Sequence, residues 1–175
     1  MSTLDLRDLA RERPGLTSAR GSGYAEAAAV CLEHNSHQPG VTMNVDGDGS
    51  ASYAVTWDTC NAQTRRTWAD LPEAAEHGSY GIATLLLEAM VGLTVVERSA
   101  KGPGFDYWLG TPDDVSGLFQ NRARLEVSGI IANPSAVGAR TSRKKRQTDR
   151  SSDLRLPAYV VVVEYSQPLS RVVKK

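Results

Sequence analysis

The longest apolar pattern in the chain spans residues 73–91 and predicts a buried helix. Most positions in the second half of this segment are apolar, and a helix that is apolar on most of its surface packs inside a domain. Asp70 can cap its N-terminus, and Pro72 suits its first turn. Gly92 favours its end because glycine readily adopts the left-handed conformation found there.

The segments after this helix predict three strands, a second helix and a fourth strand. Their expected ranges are 94–98, 104–110, 123–130, 134–149 and 158–165. The last of them carries an uninterrupted run of β-branched residues, which is typical of a central strand buried on both faces. From residue 70 onward, the predicted order is therefore helix, strand, strand, strand, helix, strand.

The N-terminal third predicts a helix followed by a small β-meander. Apolar residues recur at helical spacing after Ser22, which can cap the helix. Segments 41–45 and 52–57 alternate apolar and polar residues around an Asp-Gly turn, and we expect a third strand at 64–68. We predict a loosely ordered segment at 1–21, an extension at 22–69 and a core at 70–175, which together make a mixed α/β protein.

Composition narrows the functional classes only slightly. The chain has 175 residues, with 20 Lys plus Arg and 20 Asp plus Glu, so the net charge gives no argument for nucleic acid. The two cysteines lack CxxC spacing and predict reduced thiols. With no signal-peptide pattern and no apolar run long enough to span a bilayer, we expect a cytoplasmic protein without membrane contact. The sequence also lacks the glycine-rich motifs of nucleotide-binding and redox enzymes.

Two acids in apolar surroundings indicate a site for a divalent metal. Asp106 and Glu126 belong to neighbouring predicted strands, and an acid in such a strand is costly unless it is paired or metal-bound. Mg²⁺ prefers oxygen ligands, so the carbonyl of Val127 could join them. Glu76, near the start of the long helix, could supply a third carboxylate or orient water. Such a site can polarise a phosphodiester and activate water.

This order of elements and acids resembles the PD-(D/E)XK nuclease superfamily, which has the restriction-endonuclease-like fold. In that pattern a helix carries a Glu, the second strand an Asp and the third strand Glu-x-Lys. Glu76, Asp106 and Glu126 match in that order, over about residues 70–166. The resemblance implies Mg²⁺- or Mn²⁺-dependent hydrolysis of DNA in restriction, phage defence, recombination or repair. Because no sequence-reading domain is evident in so short a chain, we expect a homodimer or a partner subunit.

The motif lysine is replaced by Ser128, so a cation has to come from elsewhere. In this superfamily the cation can instead come from the following helix. A basic block lies there, with Arg140, Lys144 and Gln147 on one helical face and Arg143 with Arg146 or Gln147 on a neighbouring one. Among these residues Lys144 is our leading candidate for a catalytic role, and Lys101, before the second strand, is another candidate.

Each of these candidate site residues also has a purely structural explanation. Glu76 near a helix N-terminus is favourable to the helix dipole whatever its function. Asp106 or Glu126 could form a structural salt bridge with Arg98 or Arg124, and the basic block could be a solvated helix face. If no cation reaches the metal, we expect a degenerate nuclease that binds without cutting, as a module within a larger complex.

Overall fold

A single mixed sheet of eight strands organises the part of the protein that the computed structural model describes, residues 1–100, 102, 104–112 and 123–175. In chain order the strands are β1 (Ser2–Asp5), β2 (Val41–Gly47), β3 (Ala51–Thr56), β4 (Thr94–Arg98), β5 (Tyr107–Gly110), β6 (Ala123–Ile130), β7 (Ala158–Glu164) and β8 (Leu169–Lys174). Across the sheet their order is β1-β3-β2-β8-β7-β6-β5-β4.

Helices cover both faces of this sheet. They are α1 (Ser18–His34), α2 (Ala62–Thr67), α3 (Leu71–Val91) and α4 (Val137–Gln147), with 3-10 turns at Leu6–Ala10, Pro134–Ala136 and Thr148–Leu154. On β7, Val161 and Val163 belong to the main core with α1 and α3, whereas Val160 and Val162 pack with Val137 of α4. Since alternate residues of a strand point to opposite faces, α4 lies across the sheet from α1 and α3.

The predicted order of the C-terminal two-thirds is confirmed. It runs α3, β4, β5, β6, α4, β7, and β7 is buried along its whole length. The Asp70 side chain accepts a hydrogen bond from the Glu73 amide at the start of α3, and Gly92 ends the helix with φ of 68°. The predicted Asp-Gly hairpin is also present, because β2 and β3 pair antiparallel.

The first 21 residues, which we expected to be loosely ordered, form regular structure instead. β1 pairs parallel with β3, and α1 begins at Ser18 with Thr17 as its cap, rather than at Ser22. The 3-10 turn that comes directly after β1 buries Leu6 and Leu9 beneath α1. A single pair of leucines three residues apart is too short a pattern to predict this turn, although their burial stabilises the segment.

The sheet differs from the predicted one in two further ways. Residues 64–68 do not form a strand, because Asn61 caps a short helix there, α2, by accepting from the Thr64 amide at 2.9 Å. The sequence analysis also missed β8, which pairs antiparallel with β7 and parallel with β2. β8 therefore joins the predicted extension and the predicted core into one continuous sheet.

Candidate functional site

The sheet leaves an opening beside β6. β5 pairs with β6 only from Tyr107 to Leu109, opposite 123–125. Beyond Leu125, β6 therefore has no β5 residue beside it, and a cleft of about 580 Å³ opens there between α3 and α4. Its lining includes all four predicted catalytic side chains, which are Glu76, Asp106, Glu126 and Lys144.

Asp106, which we expected within the second strand, lies directly before β5 and is fixed against the backbone of β6. Its amide donates to the carbonyl of Leu125 at 2.7 Å, and its Oδ2 accepts from the amide of Val127 at 2.8 Å. The N–H and C=O of one strand residue point to the same side. The carbonyl of Val127 therefore faces the Asp106 side of β6, as the predicted ligand set requires.

Glu126 is the most deeply buried acid of the cleft, with 1% of its surface exposed. The pKa of its carboxyl is raised to about 7, mainly by burial and also by the nearby Asp106 carboxylate, whereas the bond from Lys144 opposes the shift. Lys144 Nζ donates to Glu126 Oε1 at 2.5 Å. The structure thus places a lysine beside the third-strand glutamate, although it comes from α4.

A second cation of α4 lies beside Ser128. Arg140 Nη1 donates to Ser128 Oγ at 2.8 Å. Burial lowers the pKa of Arg140, and the neighbouring positive charge of Arg143 lowers it further. Arg143 and Gln147 also line the cleft, so α4 presents its predicted basic face to the acids.

Glu76 reaches the site through a residue that the sequence analysis missed. Tyr80 Oη lies 2.9 Å from Glu76 Oε1 and 3.1 Å from Asp106 Oδ1. Arg98 Nη2 donates to the same hydroxyl at 3.2 Å and lies 3.6 Å from Asp106 Oδ1. The four-residue spacing of Glu76 and Tyr80, which places them on one helix face, was the available signal.

Arg98 and Arg124, the two arginines considered as salt-bridge partners of the acids, have different neighbours in the structure. Arg98 lies beside Asp106, whereas the buried Arg124 donates to the carbonyl of Thr148 at 3.1 Å and to Ser151 Oγ at 2.7 Å. Arg124 thus ties β6 to the turn after α4. Lys101, the other candidate cation, lies outside the described residues.

The donor set suits Mg²⁺ or Mn²⁺ in its chemistry. Asp106 and Glu126 supply carboxylate oxygens, and Val127 supplies a carbonyl oxygen on the same side of β6. Within the described residues, no three His, Cys, Asp or Glu side chains are grouped closely enough to hold a metal. Mg²⁺ usually keeps several waters and needs only one or two carboxylates. The two carboxylates and one carbonyl of this cleft are therefore compatible with it.

Comparisons with models of known families, with curated proteins and with solved structures gave no match. The function of the cleft therefore has to be argued from its chemistry. Across the described part of the chain, no helix is both long enough and apolar enough to cross a membrane.

Proposed function

We propose that this protein is a metal-dependent DNA endonuclease with a restriction-endonuclease-like core. The observation that carries the proposal is the meeting of Asp106, Glu126 and Lys144 in one cleft, with Lys144 Nζ 2.5 Å from Glu126. Two acids and a cation at an open sheet edge form the group that phosphodiester hydrolysis needs.

Each side chain has a definite role in this proposal. The carboxylates of Asp106 and Glu126 and the carbonyl of Val127 would hold the metal. When bound, Mg²⁺ or Mn²⁺ polarises the scissile phosphate and lowers the pKa of a bound water. Lys144 stabilises the negative charge that develops on the phosphate. Glu76, which is exposed at the mouth of the cleft, orients the attacking water.

The topology supports the same function. β4, β5 and β6 are antiparallel neighbours, and β7, after α4, pairs parallel with β6. The resemblance to the PD-(D/E)XK superfamily rests on the order of these elements along the chain. Cleavage of foreign DNA in restriction or phage defence is a role in keeping with it.

DNA would approach the cleft along α4. Arg140 and Arg143 line the cleft together with Lys144, and arginine and lysine side chains bind phosphates without regard to sequence. The described residues form a single sheet without a separate sequence-reading domain, so a second copy of the chain or a partner subunit would supply specificity.

A second candidate is a catalytically degenerate nuclease that serves as a nucleic-acid-binding or assembly module. The ion pair between Lys144 and Glu126 favours it, because the ammonium already neutralises the carboxylate that a metal would use. In this alternative the cleft binds a phosphate backbone but does not hydrolyse it.

The test is cleavage of plasmid and linear DNA with Mg²⁺ or Mn²⁺, alongside calorimetric metal titration. Asp106→Asn removes a ligand charge at nearly constant volume, so it should abolish cleavage without unfolding the protein. Asp58→Asn changes a carboxylate that is 80% exposed and outside the cleft, and it should cleave like the wild type. A wild-type protein that binds DNA but neither cleaves it nor binds metal would establish the degenerate alternative.

A further inference from the structure

The hydroxyl of Tyr80 lies between the two acids at the mouth of the cleft. It is 2.9 Å from Glu76 Oε1 and 3.1 Å from Asp106 Oδ1, but a phenol has only one proton to donate. Glu76 is exposed, so water can satisfy its carboxylate. Asp106 is more enclosed, with 17% of its side chain exposed, and it gains more from the Tyr80 proton.

The position of this hydroxyl is set by packing rather than by the acids. Tyr80 is only 4% exposed, and its ring packs edge-on against Tyr107 with centroids 5.7 Å apart. The guanidinium of Arg98 lies 4.6 Å from the centre of the Tyr80 ring and 4.7 Å from that of Tyr107. A stacked cation of this kind stabilises both rings. The phenol is therefore held in place before any ligand arrives.

Both oxygens of the Asp106 carboxylate are thereby fixed. Oδ2 accepts from the Val127 amide at 2.8 Å, and Oδ1 accepts from Tyr80 at 3.1 Å. Each carboxylate oxygen has two lone-pair sites, so each can accept one hydrogen bond and still bind a metal. These bonds restrict rotation of the carboxylate and reduce the entropy lost when it becomes a ligand.

We infer that Tyr80 is a positioning residue that holds Asp106 in its metal-binding orientation, with Arg98 stacked on the Tyr80 ring to fix the phenol. The inference rests on the proposed function, because it assumes that Asp106 binds a divalent metal. Hydrogen bonds to ligating carboxylates commonly change metal affinity or activity by about 10- to 100-fold. The loss of one hydroxyl should therefore be measurable without any change of fold.

The experiment compares two single-hydroxyl deletions by calorimetric Mn²⁺ titration without DNA. Tyr80→Phe keeps the ring and the stacking of Arg98 on it but removes the hydroxyl, with its bonds to Asp106, Glu76 and Arg98. Tyr107→Phe is the matched control, because its hydroxyl contacts the Tyr24 hydroxyl at 2.5 Å while its ring packs on the same guanidinium. Asp106→Asn is included as the variant that lacks the ligand itself.

We expect Tyr80→Phe to weaken Mn²⁺ binding about tenfold or more, with Mn²⁺ binding by Tyr107→Phe unchanged and both variants folded at the assay temperature. In cleavage assays at subsaturating Mn²⁺, Tyr80→Phe should lower kcat while leaving the KM for DNA unchanged. A general loss of folding would not produce this split between the two constants.

The other outcomes overturn the inference in distinguishable ways. If Tyr80→Phe binds Mn²⁺ like the wild type while Asp106→Asn does not, the positioning role is wrong and the metal site stands. If both Phe variants lose affinity equally, the effect comes from packing around Arg98. If the wild type itself binds no Mn²⁺, the proposed function fails and the positioning role fails with it.

Discussion

Lys144 Nζ donates to Glu126 Oε1 across 2.5 Å, although the two residues belong to different elements. Glu126 lies on β6. Lys144 lies two turns into α4, the helix that covers this face of the sheet. The parallel pairing of β6 with β7, which follows α4, brings the helix back across the sheet. The lysine beside Glu126 thus comes from the next helix and not from β6.

The first prediction concerns this lysine. Lys144→Met keeps the length of the side chain but removes its charge, so it should lower the cleavage rate at saturating DNA about 100-fold or more, as the loss of a transition-state donor does. Single-turnover cleavage with excess enzyme measures this rate. Lys145→Met, one residue along the same helix, is the control and should cleave at nearly the wild-type rate. Equal effects of the two substitutions would show that Lys144 contributes only to the overall charge of α4.

The sequence allowed much of the site to be predicted, because its parts are local patterns. The order of elements predicted Asp106 and Glu126 on neighbouring strands, and in the structure Asp106 lies directly before β5 and Glu126 lies on β6. The helical spacing of Arg140, Lys144 and Gln147 predicted one shared face, and all three line the cleft. Tyr80 was missed because a tyrosine within an apolar helix matches an ordinary core residue equally well. Only the three-dimensional approach of β5 to α3 shows that its hydroxyl reaches Asp106.

The rest of the fold depends on long-range pairing that a local pattern does not encode. β8 is short and lacks the uninterrupted apolar run of β7, and its partner β2 lies more than 100 residues away. The first turns of the chain likewise bury leucines only because α1 lies above them. Periodicity carries no information about such partners, so both elements were missed.

The second prediction is a pH dependence of stability that comes from Glu126. Its pKa is raised from 4.5 to about 7 in the folded protein, so between these values the folded state binds more protons than the unfolded state. The free energy of unfolding should then fall as pH rises through this window, by up to about 1.4 kcal/mol per pH unit, and level off above it. Urea unfolding between pH 5 and 8 measures the slope.

Glu126→Gln is the control for this pH dependence. The amide is close in size to the carboxyl and does not titrate, so the variant should lack the part of the slope that Glu126 causes. A variant that retains the full wild-type slope would assign the titration to another group.

The third prediction tests whether α4 binds the DNA backbone. If Arg140 and Arg143 contact phosphates, replacing either with Gln should reduce the slope of log affinity against log salt by roughly 0.9 on duplex DNA. The loss should be similar for unrelated sequences, because phosphate contacts carry no sequence information. Fluorescence anisotropy with Ca²⁺ in place of Mg²⁺ measures binding across a salt series.

Arg66→Gln is the matched control for the arginines of α4. Arg66 is exposed on α2 and does not line the cleft, so its replacement should leave the slope unchanged. If all three substitutions lower the slope equally, binding depends on the total charge. If none lowers it, the basic face of α4 is a solvated surface.

The last prediction tests the packing of the N-terminal segment beneath α1. A Cβ at Gly21 would lie 1.8 Å from the carbonyl oxygen of Leu9, and the backbone there cannot move without displacing the buried Leu6 and Leu9. Gly21→Ala should therefore destabilise the protein by about 1–3 kcal/mol, the usual cost of overpacking, or more. Urea unfolding measures the difference. Gly49→Ala is the control, because no atom lies within 4 Å of a Cβ built there. Equal stability of the two variants would show that the first turns of the chain do not pack against α1 in solution.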